Sequence, residues 1–330
     1  MSKVKKPAPN LIRGQMSTSL LRTCFGFKKF LNCCITDPDL SGEVSPKVNF
    51  GKILIVLLLL FYTNLPAQIF SDKDIEICNS KFDMAVSKTL SEKPLNEIIV
   101  EVGKSFLGTE YIAHTLEQDG EEQLVINLTG LDCTTFLETT LALSRIIKSG
   151  RTDFEDYKNE LTFIRYHEGK IDQYPSRLHY FSDWIYDNAK KGIVKDVTKE
   201  ISGEEISFNV NYMSFHPESY KHLKENPGFI PVIKKQEEEI SKRTYHYIPK
   251  TKVKSVEMKI ETGDLIAITS SVKGLDINHV GFAIKMENGR IHFLHAPQVG
   301  ANVQITSEAL AEYLMKIKRH TGIIVLRVVE

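Results

Sequence analysis

Five short runs after Gly263 constrain this chain most: GDLIAITS, NHVGFAIKM, GRIHFLHAP, ANVQI and TGIIVLRVV. Each is apolar or β-branched, and each is bounded by turn residues such as Asn288-Gly289, so together they predict an antiparallel sheet. A helical pattern at 307–317 interrupts the series before its last strand. Upstream, apolar residues recur at three-to-four spacing over 72–90, 94–107, 133–149, 154–165 and 181–190, which predicts helices. Helices first and a sheet after them is the α+β arrangement.

The whole chain has 330 residues, with 42 basic and 42 acidic side chains and no net charge. That balance gives no electrostatic reason to expect nucleic acid or an anionic membrane as the main partner. The segment 47–68, KVNFGKILIVLLLLFYTNLPAQ, places two lysines before an unbroken apolar run and ends in Pro66-Ala67-Gln68. It reads as a secretory signal peptide cleaved near Ala67, because its apolar run is only about half the length a helix needs to cross a bilayer. The product is expected to be exported, periplasmic or secreted, with no stable membrane insertion after cleavage. Residues 1–46 read as an overextended leader. The remainder, 68–330, holds no repeat and no long linker and reads as one elaborated domain.

Removal of the leader takes Cys24, Cys33 and Cys34 with it and leaves Cys78 and Cys133. Within LTGLDCTTFLE, residues 128–138, Asp132 is a good N-cap and Cys133 is the first residue of the helix it starts. A sulfur at that position lies among unpaired backbone N–H groups and the positive end of the helix dipole, which stabilise a thiolate, while Asp132 opposes it. Three readings stay open for this thiol: a nucleophile, half of a disulfide with Cys78, or an ordinary buried group.

A nucleophile needs a base, and His279 and His295 lie on strands joined through Met286–Arg290. If Asn288-Gly289 alone makes the turn, Glu287 pairs with Arg290 and the two imidazoles point to opposite faces. If Glu287, Asn288 and Gly289 form a three-residue loop with Gly289 left-handed, Met286 pairs with Arg290 and both histidines share a face as diagonal neighbours. His292 shares the face of His279 only in the two-residue register, where it pairs with Lys285, about 20 Å away along the strand. No C-x-x-C or H-E-x-x-H spacing supports a metal site, and no cofactor is expected. Arg177-Leu178-His179-Tyr180 and Trp184 fit either a ligand pocket or a buried aromatic cluster capped by arginine.

GTEY (108–111), LDCTTFLE (131–138), GDLIAI (263–268), HVGFAI (279–284) and FLHAP (293–297) resemble, in that order, the pattern of the NlpC-type cell-wall cysteine peptidases and amidases. The resemblance covers most of residues 100–330. It implies a papain-like core, with helices packed on an antiparallel sheet and a large insertion, 151–259, between the cysteine helix and the sheet. More closely, TLEQDGEEQLVINLTGLDCTTFLETTLAL and SRLHYFSDWI are similar to a Bacteroidetes-type branch of N-acetylmuramoyl-L-alanine amidases. That branch implies cleavage between the muramic acid lactyl group and L-alanine of peptidoglycan fragments, preferably 1,6-anhydro-muramyl peptides. By the same resemblance Cys133 is the nucleophile, His279 the base and His295 the orienting residue, with Tyr111, Asp132, Arg177, His179 and Tyr180 on the substrate side. Thr134-Thr135 stands where Ser-Gly is usual in the wider group, and no Gly-Gly follows Tyr111. These departures weigh against the commoner endopeptidase specificity, γ-D-glutamyl to diamino acid, which stays as the alternative beside a catalytically silent muropeptide-binding protein.

Overall fold

Ser71 and Asp74 cap each other's backbone at the start of helix α1, Asp72–Ser87, and Thr89 in the left-handed region stops the helix short of the expected residue 90. The computed structural model describes residues 68–330, so the leader and signal-peptide expectations lie outside the described residues. Helix α2 is Leu95–Lys104, α3 is Cys133–Lys148, α4 is Phe154–Arg165, and α5 is Phe181–Lys190. Helices α6, Ile230–Ser241, and α7, Leu310–Lys316, follow. Apart from α6, which lies where no helix is expected, these helices fall on the apolar stripes read from the sequence, with α2 ending three residues early and α7 starting three residues late.

The sheet has eight strands among the described residues. They are β1 Val194–Asp196, β2 Glu204–Ser207, β3 Thr244–Pro249, β4 Leu265–Ser270, β5 Ile277–Lys285, β6 Ile291–His295, β7 Gln304–Ile305 and β8 His320–Val328. Their order is β2-β3-β8-β4-β5-β6-β7, all antiparallel, with β1 also paired to β8. Thus the long segment between α3 and β4 contributes three strands to the main sheet. Apolar spacing predicts no strands there, because VKD and EEIS are short, mostly exposed and carry no apolar alternation.

Both faces of the sheet are buried, which explains the nearly continuous apolar strands. Leu265, Ala267, Val280, Phe282, Ile284, Leu294, Ile324 and Leu326 pack into one core with α1 to α5. The alternate positions Ile266, Ile268, Ala283, Ile291, Phe293, Ile323 and Val325 pack with Leu310, Ala311 and Leu314 of α7. Helix α3 is more deeply placed than its stripe predicts, with every residue from Thr135 to Ser144 buried. It runs between α2, α4 and β5, so all its sides meet protein.

Candidate active site

The β5–β6 connection decides whether the two histidines meet. Met286 N–H donates to Arg290 O at 2.9 Å and Gly289 N–H to Met286 O at 2.8 Å, with Gly289 at φ +77°. This is the three-residue loop, and it sets Ile284 opposite His292 and Phe282 opposite Leu294. His279 and His295 consequently fall on one face, with His279 Nε2 and His295 Nδ1 2.6 Å apart. The strands approach closely at Gly281, where an added Cβ would lie 2.5 Å from Leu294 O and 2.9 Å from the Phe293 ring. Phe293 in turn packs edge-on against His279, with ring centroids 5.6 Å apart. His292 faces away and meets Thr306 O through Nδ1 at 2.7 Å.

Cys133 occupies the first turn of α3. Asp132 Oδ1 accepts from Thr135 N–H at 2.8 Å and from Thr135 Oγ1 at 2.9 Å, while Asp132 N–H donates back to Thr135 Oγ1 at 2.9 Å. The carboxylate is thereby turned to the backbone as a cap. Burial of the sulfur, followed by the charge of Asp132, nevertheless pushes the thiol up to about 12, against the opposing pull of the Val280 and Thr134 backbone N–H groups. The helix start therefore does not yield a resting thiolate, because removal from water outweighs the backbone donors. Cys78 and Cys133 are both free thiols, and Cys78 is fully buried on the core face of α1.

Cys133, His279, His295 and Tyr111 line one cavity of about 860 Å³. Burial, then His295, His320 and Arg319, hold His279 well below the ordinary histidine range, and burial brings His295 to about 4. Both shifts favour the uncharged forms of the pair, a thiol and a neutral imidazole. Tyr111 reaches the site from the loop after α2, where its N–H donates to Ala301 O at 2.9 Å. Its phenol is raised by burial and by Cys133 and Asp132.

The structure also brings in residues that the sequence reading did not single out. Asn278 Nδ2 lies 3.0 Å from His320 Nε2, Tyr313 packs edge-on against His295 with centroids 5.3 Å apart, and all three line the cavity with Arg319. Asn278 adjoins His279 in the chain, but His320 lies 41 positions further on and its approach depends on β8 returning beside β4. No sequence spacing signals that approach.

Arg177, His179 and Tyr180 do not line this cavity. Arg177 is buried between Glu117 at 3.1 Å and Glu122 at 3.0 Å, against the Tyr174 ring. His179 Nε2 meets Tyr174 O at 2.9 Å, and Tyr180 donates to Glu237 Oε1 at 2.7 Å. The segment is tied to the start of β5 through Asp276, which accepts from Ser182 N–H at 2.7 Å at the start of α5. Among the described residues, no group of three or more His, Cys, Asp or Glu could hold a metal ion.

A family model described as AmiA-like, N-acetylmuramoyl-L-alanine amidase-like, matches residues 101–323. A solved N-acetylmuramoyl-L-alanine amidase from Bacteroides uniformis is 37% identical, with a TM-score of 0.68 over 72% of this chain and 99% of that one. A Bacteroides fragilis structure described as a candidate xylanase is 41% identical, with a TM-score of 0.65 over 69% of this chain and 99% of that one. A Legionella pneumophila protein of the DUF1460 family model shares the fold at 24% identity and a TM-score of 0.59, over 79% of this chain and 97% of that one. No curated protein matches.

Proposed function

The chain belongs to the AmiA-like, N-acetylmuramoyl-L-alanine amidase-like family, and on that premise we propose that it is a cysteine amidase in which Cys133, His279 and His295 cleave the bond between the muramic acid lactyl group and L-alanine. The observation that carries this reading is the 2.6 Å imidazole pair in the same cavity as the helix-start thiol. The order of cysteine helix and then two histidine strands supports assigning the core to the NlpC-type, papain-like class.

Two neutral imidazoles can bond through Nε2 and Nδ1 only if one of them carries the shared proton. With that proton on His279 Nε2, the lone pair on His279 Nδ1 is left to act as base, and His295 is the group that fixes the tautomer. As Cys133 Sγ attacks the lactyl carbonyl carbon, its proton passes to His279 and then to the departing alanine nitrogen. The C–N bond breaks and a muramoyl thioester forms on Cys133. Water, deprotonated by His279, attacks the thioester, releasing the lactyl carboxylate and returning the thiol. Of the first-turn N–H groups of α3, that of Cys133 is assigned to the developing oxyanion, since Thr135 N–H is held by Asp132. A neutral resting pair suits this scheme, since charge is created only as the bond to carbon forms.

Glycoside hydrolysis, the activity in the Bacteroides fragilis description, ordinarily needs two carboxylates across the scissile bond. The cavity offers one, Glu308, already held by Lys316 at 2.7 Å. We assign direct substrate contact to Tyr111 and a supporting role to Asp132 as the cap. Arg177, His179 and Tyr180 then act by stiffening the wall that anchors β5. The 47–68 pattern supports export to the periplasm or beyond.

The test is to incubate the protein with a 1,6-anhydro-disaccharide tetrapeptide and read the product masses. A sugar bearing a free lactyl carboxylate, with a peptide beginning at L-alanine, is expected. A shortened stem still attached to sugar would replace this reading with the endopeptidase, and no cleavage would favour the muropeptide-binding protein.

A further inference from the structure

The Cys133 cavity carries two charged side chains apart from its titratable histidines and phenols, Glu308 and Arg319. They differ in what engages them. Glu308 is bound by Lys316 at 2.7 Å and by Ser307 Oγ at 2.8 Å. Arg319 is exposed, and its guanidinium makes no hydrogen bond or ion pair among the described residues, while its backbone carbonyl accepts from Ser271 N–H at 2.9 Å. Its positive charge is felt at His279, His320 and Tyr313, all of which line the same cavity. Next to it, His320 is 1% exposed and its Nδ1 is buried with no partner. The polar groups of this corner are thus incompletely matched from within the protein, and a free cation is the feature that remains.

Resting on the amidase reading, we propose that Arg319 binds a carboxylate of the stem peptide on the leaving-group side, namely the free α-carboxylate of the γ-linked D-glutamate that follows L-alanine. That carboxylate lies two residues from the scissile carbonyl, and two residues of extended chain reach about 7 Å. The span fits within a cavity of about 860 Å³ that holds Cys133 and Arg319 together. A guanidinium is the group suited to this, since it stays charged at every working pH and presents paired donors to a carboxylate. Gln298, Gln304 and Asn278, which also line the cavity, are uncharged, so Arg319 is the one cation among its arginine and lysine lining residues.

The experiment measures binding, independently of which bond is cut. In the Cys133→Ala protein, calorimetry compares a disaccharide–L-Ala–γ-D-Glu ligand with the same ligand carrying D-isoglutamine, in which that carboxylate is an amide. The acid is expected to bind roughly tenfold more tightly, as one charge-assisted contact allows. Adding Arg319→Gln should remove the difference by weakening the acid alone, and Arg319→Lys should restore part of it. Equal affinity for the two ligands, or a preference that survives Arg319→Gln, overturns the assignment. The amidase reading fails or stands separately, on the product masses, so the two failures are distinguishable.

Discussion

Replacing Cys133 by alanine is expected to lower kcat/KM by at least about 10⁴-fold while moving the unfolding midpoint by no more than about 3 °C. The first part follows from the proposed chemistry: without the sulfur no thioester forms, and His279 alone has no covalent route to the amide. The second follows from position. Cys133 is half-buried at a helix start whose cap, the Asp132–Thr135 pair, uses no atom of the cysteine side chain. Steady-state turnover and differential scanning fluorimetry on one preparation read both quantities. A variant that keeps a tenth of the wild-type rate would show that the cavity works without the thiol.

The largest stability effect is expected at Glu138 and Arg165, which sit away from the chemistry but hold the helix that carries it. Arg165 Nε meets Glu138 Oε2 at 2.7 Å, and both side chains are 3% exposed. The guanidinium also donates to Val125 O at 2.6 Å, joining α3, α4 and the short parallel pair Gln68–Ile69 with Leu124–Val125. Truncating one partner of such a pair strands the other charge in a dry interior, at a cost of about 3–5 kcal/mol. Glu138→Ala should therefore lower the unfolding midpoint by roughly 10 °C. Replacing both residues together, Glu138→Met with Arg165→Met, should recover much of that loss, since no lone charge remains. If the double replacement is as unstable as the single, the defect is lost packing rather than a stranded charge.

The sequence made some parts of this molecule legible because a single local rule decides them. Apolar spacing placed α3 and α4 within a residue of their observed ends, and short apolar, β-branched runs marked β4 to β8. The histidine pair was legible only as a condition. Asn288-Gly289 suits a two-residue and a three-residue loop equally, and the choice reverses which face His295 occupies. The structure adopts the longer loop. What stayed illegible rests on contacts distant in sequence. Glu138 and Arg165 look like ordinary helix-surface charges until α3 and α4 are packed, and RLHY at 177–180 reads equally well as a pocket wall or as a buried aromatic cluster capped by arginine, while the glutamates that hold Arg177 lie some 55 to 60 positions upstream. His320 and Arg319 reach the cavity that Cys133 lines through the order of the sheet, which strand-by-strand patterning does not determine.

Mass spectrometry of the wild-type protein, acid-quenched during turnover of a 1,6-anhydro-disaccharide tetrapeptide, tests the central claim most directly. The covalent intermediate identifies both the nucleophile and the bond. The expected adduct lies on the peptide containing Cys133 and weighs as the 1,6-anhydro-disaccharide acyl group, with no amino acid attached. An adduct that also carries L-alanine and D-glutamate, or one mapped to any residue other than Cys133, would contradict it.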